Sequence, residues 1–188
     1  VVAQVRGAAY GDPEYARSLI EHGRLCALPG SGGWLLMRSV PSGGRRHDAM
    51  GCYPLFQCRD WRALPEDLEE LSEMADAPVA VRLVADPLGD HDPDLLARAF
   101  PDVARPFKEH YLVDLTQDPA VFVHPHNRRN ARKAGRHFQV EICPHPLEHL
   151  DEWLRLYRAL CKRHGITGLA AFSREAFKHQ LAVPRAVP

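Results

Sequence analysis

Long apolar runs are missing from this 188-residue chain. No stretch approaches the ~20 consecutive apolar positions that a bilayer-crossing helix needs. A charged-then-apolar leader is missing as well, so a cytoplasmic location is expected. No C-x-x-C pair occurs: Cys26, Cys52, Cys58, Cys143 and Cys161 are an odd, scattered set. Without an export signal, that pattern argues for reduced core thiols over a disulfide framework. Net charge is lacking too, because 24 Lys plus Arg balance 24 Asp plus Glu. A neutral chain is a poor bulk coat for nucleic acid, although a local patch stays open.

Several catalytic and metal signatures also fail. No G-x-S-x-G elbow is present for a nucleophilic serine. PGSGG (29–33) leads into a strand pattern and has no Lys-Ser/Thr pair, so it is not a P-loop. Asp90, Asp92 and Asp94 have the spacing of a calcium-loop start. The loop lacks glycine at its sixth position, and Pro101 replaces the closing glutamate, so helix capping explains the aspartates better. Cys143, His145, His149 and Asp151 form C-x-H-x3-H-x-D, near a His124-Pro-His126 pair, but structural zinc sites use closer Cys or His pairs. No metal is expected. Cys161 and His164 extend the apolar stripe of Leu154 and Tyr157, so the thiol reads as a small hydrophobe.

What is present is a globular composition, 45% hydrophobic and 26% charged, long enough for a sizeable core. Three helix starts share an Asp-Pro device: Asp12-Pro13, Asp92-Pro93 and Asp118-Pro119. Each offers a carboxylate cap and a proline where its missing N–H is harmless. Tyr15, Leu19 and Ile20 give the first helix an apolar face, with Gly23 as its stop. Strands are expected at 34–40 and within 50–58, joined as a hairpin by the turn PSGGRR, and at 79–86, 110–115 and 137–143. Further helices are expected at 63–74, at 93–99, from Leu147 to Gly165, and after the N-cap Ser173. The alternation predicts an α/β fold built on a sheet of mixed direction.

One segment stands apart. HPHNRRNARKAGRH (124–137) holds five basic side chains and no acid. As a helix it would align Arg128 and Arg132, with Arg129 and Lys133 on the next line and Arg136 beyond. Like charges at that spacing repel by a few tenths of a kcal/mol per pair, so the face needs counter-charges. Acidic side chains elsewhere in the chain would serve, and so would bound phosphates, for which the arginine fork is suited. Both readings stay open. Pro125 should kink the chain or force a new helix start near His126.

The basic segment, followed by HFQVEICPHPLEHLDEWLRLYRALCKRHGI and AFSREAFKHQL, resembles double-domain N-acyltransferases of the FemAB and GNAT-like type. GWLLMRSVP, DAMGCYPLFQCRDW and HYLVDL fit the same pattern, so the resemblance covers roughly residues 34–184. It implies a GNAT-like layered fold. Residues 1–117 would be a degenerate N-terminal repeat, and 118–188 a basic linker helix, a strand and two helices leading toward a missing second repeat. Full-length relatives transfer an acyl or aminoacyl group to a small-molecule or peptide amine, with acyl-CoA or aminoacyl-tRNA as co-substrate. A donor-binding half needs a glycine-rich turn whose backbone N–H groups hold pyrophosphate at a helix start. The equivalent turn here, QCRDWRALPED (57–67), has no glycine, so no cofactor is expected on this chain. A chain that begins Val1-Val2 and stops at LAVPRAVP also reads as a truncated frame, inactive alone. Arg128, Arg129, Arg132 and Lys133 are the phosphate- or substrate-facing candidates, and no general base stands out. The competing reading is a non-catalytic module whose helix 126–136 binds phosphate or nucleic acid.

Overall fold

A computed structural model describes residues 9–41, 44–111, 113–114 and 116–183. The helices, in chain order, are α1 (Pro13–Arg17), α2 (Leu64–Glu73), α3 (Pro93–Ala99), α4 (Pro119–Phe122), α5 (Pro125–Ala134), α6 (Leu150–His164) and α7 (Arg174–Ala182). The strands are β1 (Arg24–Leu28), β2 (Gly33–Ser39), β3 (His47–Gly51) and β4 (Val81–Arg82). They form one four-stranded sheet in the order β1-β2-β3-β4. The first three strands run antiparallel, and β4 lies parallel to β3, with α2 on the crossover. The chain is therefore mixed α/β, as expected. Two compact units divide it: residues up to Phe107 together with those from Pro146, and Lys108–His145.

The sheet of the first unit is apolar on both faces, as a two-sided period of 2 in β2 requires. Leu35 and Met37 point one way, into a cluster with Leu28, Ala49, Phe56, Trp61, Leu64, Leu71 and Leu95. Leu36 points the other way, onto Ala16, Leu19 and Cys52, with Trp34, Met50 and Phe172 alongside. Phe172 also joins the third cluster, Leu150, Leu154 and Phe177, and so links the α6–α7 pair to the sheet. Polar contacts hold the same seam: His179 with Glu14 at 3.1 Å, Gln180 donating to Ser18, and Ser173 donating to Glu21.

Two glycines are required by position. Gly32 closes the β1–β2 turn at φ 71°, with its N–H on the Leu28 carbonyl. A β-carbon on Gly33 would sit 2.5 Å from Cζ of the fully buried Phe56.

The aspartate-proline starts behave as read. Asp12, Asp92 and Asp118 accept from Glu14, Leu95 and Ala120 N–H at 2.7 Å. The expected hairpin is present in part: β2 pairs with a strand at His47–Gly51, most of it ahead of the expected 50–58, where only Phe56 makes a single bridge, and β1 is an added strand. The expected strand 79–86 shortens to Val81–Arg82 plus a single bridge between Ala85 and Phe56. The first helix ends by Arg17, and Gly23 stops only the 3-10 turn Ile20–His22.

The second unit differs most from expectation. Residues 137–143 form no strand: Phe138, Val140 and Ile142 are 72%, 93% and 86% exposed. Alternation marks which side chains share a face, but a strand exists only where another strand completes its hydrogen bonds. Of the expected strand 110–115, Leu112 and Leu115 lie outside the described residues, and the other four are not in a strand. Ser42 and Gly43 of the PSGGRR turn, and the stretch from Pro184 onward, also lie outside them. Among the described residues no helix is long and apolar enough to cross a membrane.

Candidate functional site

The turn that leads from β3 into α2 has three of its backbone donors engaged. Arg59 and Asp60 N–H both donate to the Ser31 carbonyl, at 2.8 and 3.0 Å. The Asp60 carboxylate accepts from Arg62 N–H at 2.9 Å. Pro65 has no N–H to give. One turn into α2, the buried Asp67 carboxylate accepts from Gly30 N–H at 2.8 Å and Ser31 N–H at 2.6 Å. A carboxylate thus fills the space under the β1–β2 turn and fastens that turn to α2. Buried anions persist only when hydrogen-bonded or paired, and two N–H groups meet that need. The sequence signal for Asp67 was an acid on the inward line of Leu64, Leu68 and Leu71.

The thiols are not poised as nucleophiles. Burial pushes Cys52 and Cys58 up to about 12, with nearby Asp60 and Asp67 adding to the effect at Cys58. Cys26 is raised by burial too, against a lowering by Arg24. Reactive thiols sit in electropositive, accessible places, and these do not. His164 is exposed, and no hydrogen bond joins it to Cys161 among the described residues. The fragments of a metal motif are not gathered either. Among the described residues no three His, Cys, Asp or Glu side chains cluster closely enough for an ion. Asp151 is instead paired with Arg174, whose hydrogen bond and charge hold that carboxyl below the usual range.

An open cleft of about 750 Å³ lies between α2 and α3, lined among others by Arg62, Glu66, Glu69, His91, Asp92 and Arg98. His91 stacks on Trp61 with ring centroids 4.3 Å apart, and its Nε2 meets the Asp86 carbonyl at 2.8 Å. Four carboxylates, Asp90 among them, and two arginines line the cleft.

The four sequence candidates all lie on α5, in the second unit. His124 caps the helix through its Nδ1, which accepts from His126 N–H at 3.2 Å, and Pro125 occupies N1. The proline begins a new helix after the short α4 and does not kink an existing one. At about 100° per residue, Arg128, Arg132, Arg129 and Lys133 fan across an arc of roughly 140°, and Arg136 lies in the turn past the helix end. The opposite side carries Asn127, Asn130, Ala131 and Ala134. Arg128 is partly covered, and the other four cations are exposed. Among the described residues no carboxylate forms an ion pair with any of the five. The acids of α2 belong to the other unit. The arc can attract an anion, but it holds no base or nucleophile. Compared with protein-family profiles, curated proteins and solved structures, the chain matches none.

Proposed function

We propose that the chain is the N-terminal part of a GNAT/FemAB-like N-acyltransferase that acts on an amine. In this reading it is a degenerate half that holds no acyl donor. The observation that carries the reading is the acidic, glycine-free turn before α2, with Arg59, Asp60 and Arg62 N–H already bonded. β3, an inner strand of a mixed sheet, leads directly to α2, where the family resemblance puts the pyrophosphate turn. In that turn the Ser31 carbonyl takes the Arg59 and Asp60 N–H groups and Asp60 takes that of Arg62, while Asp67 is turned to the β1–β2 turn, and the two carboxylates repel a phosphate. Donor binding, as acyl-CoA or aminoacyl-tRNA, then falls to a second repeat. Catalysis there would rest on orienting the amine, removing its proton and stabilising the oxyanion. The test is an acyl-transfer assay with acetyl-CoA and a panel of small and peptide amines. This chain alone should give no turnover, and a longer protein in which it precedes a second repeat should acylate at least one amine. Robust transfer by the isolated chain contradicts the reading.

A second reading is favoured by the unpaired arc on α5: a module that binds phosphate groups, including those of a nucleic-acid backbone. Binding should fall steeply with salt and be lost in an Arg128→Glu, Arg132→Glu variant. Binding that ignores salt, or its absence, removes this reading.

A further inference from the structure

The geometry points to a second interaction surface on α6, and we propose that its occupant is the α6 helix of a second copy of this chain, packed antiparallel. α6 presents two apolar stripes. Leu150, Leu154, Tyr157 and Cys161 form the first, which faces Phe172, Phe177 and Leu181. The second lies about a quarter turn round the helix: Trp153, Leu156 and Leu160, at 48%, 52% and 45% exposure. Only the edge of Trp153 is engaged, against Phe177 at 5.9 Å between ring centroids. The three-then-four spacing of this stripe is that of a seam between two helices.

Charge selects the occupant. α6 begins with Asp151 and Glu152 and ends with Lys162, Arg163 and His164. A two-fold axis through Leu156 sets Leu156 against its own copy and Leu160 beside Trp153 of the other copy. It also brings Glu152 of each copy, which pairs at the surface with Arg155 of its own copy at 3.5 Å, within about one turn of Arg163 of the other. The helix dipoles then oppose, and each acidic end meets a basic end. A parallel arrangement would place like charges together at both ends. One patch satisfies itself by symmetry, as an isologous interface requires. Three apolar side chains per copy make a small, transient contact, with a dissociation constant on the order of 100 μM. This proposal does not depend on the acyltransferase reading.

Sedimentation equilibrium from micromolar to millimolar protein tests it. A monomer–dimer equilibrium is expected, weakened about tenfold by Leu156→Glu, with an unchanged helical circular-dichroism signal. Glu152→Arg or Arg163→Glu alone should weaken the dimer, and the two together should restore it. Independently, Leu156→Cys in a Cys143→Ser background should give a disulfide-linked dimer under mild oxidation, and Arg158→Cys, on the far side of α6, should not. A monomer at every concentration overturns the proposal. So does association that Leu156→Glu leaves unchanged, failure of the double charge swap to restore it, or equal cross-linking at both positions.

Discussion

β2 and α5 solve opposite problems with stretches of similar length. β2 buries Leu35, Leu36 and Met37, and neighbouring strands take its backbone groups on both edges. α5 buries no residue and satisfies its backbone within itself, with His124 as its cap. The first is held by packing and contributes little that a ligand could meet. The second is held by local hydrogen bonds, and every cation on it is free of carboxylate pairing among the described residues. Substitutions should therefore move stability in one region and binding in the other.

The largest effect is expected from Phe56→Ala, which removes the ring that Gly33 and Gly51 make room for and that Trp61 stacks on edgewise. Chemical denaturation should register a loss of about 3–5 kcal/mol. A loss below 1 kcal/mol would mean the site collapses around the gap. Next comes Asp67→Ala, which leaves the Gly30 and Ser31 N–H groups without their acceptor. Destabilisation of about 2–3 kcal/mol should follow by the same measurement. Asp67→Asn keeps one acceptor oxygen and should lose less.

Thiol titration gives a third contrast. The Cys52 and Cys58 thiols are pushed up to about 12, so the folded state holds their protons longer than the unfolded state does. Their contribution to stability is complete below the ordinary thiol range and declines as pH rises through it toward 12. A thiol reagent at mildly alkaline pH should label exposed Cys143 rapidly and Cys52 only on unfolding. Rapid labelling of Cys52 in folded protein would show that the β3–α2 turn opens. The smallest effect on stability is expected from Arg128→Glu with Arg132→Glu. The midpoint of denaturation should stay within about 0.5 kcal/mol, while any affinity for inorganic phosphate or polyanions disappears.

The same contrast decides what could be read from the sequence. Helix starts were legible because Asp-Pro caps act within three or four residues, and the observed caps at Asp12, Asp92 and Asp118 use those bonds. The hairpin was legible because its two strands are close in the chain, although its second strand, His47–Gly51, lies mostly ahead of the expected 50–58. β1 was not. RLCAL is short and only half-buried, and it exists through its pairing with β2. Residues 137–143 show the reverse case, with strong alternation and no partner strand, so the pattern overreached. The five cations at 128–136 were visible as a run, but their freedom from carboxylate pairs needed three-dimensional placement. Asp67 could have been singled out as an acid on the inward line of its helix. Its partners, 36 and 37 residues away in the chain, could not.

Calorimetric titration of acetyl-CoA into the purified chain tests most directly whether the 57–67 turn is closed to an acyl donor. The account predicts no saturable heat up to millimolar donor, because the turn has no glycine, its Arg59, Asp60 and Arg62 N–H groups are already bonded, and its Asp60 and Asp67 carboxylates repel a phosphate. Stoichiometric binding in the micromolar range, weakened by substitutions in the 57–67 turn, would contradict it.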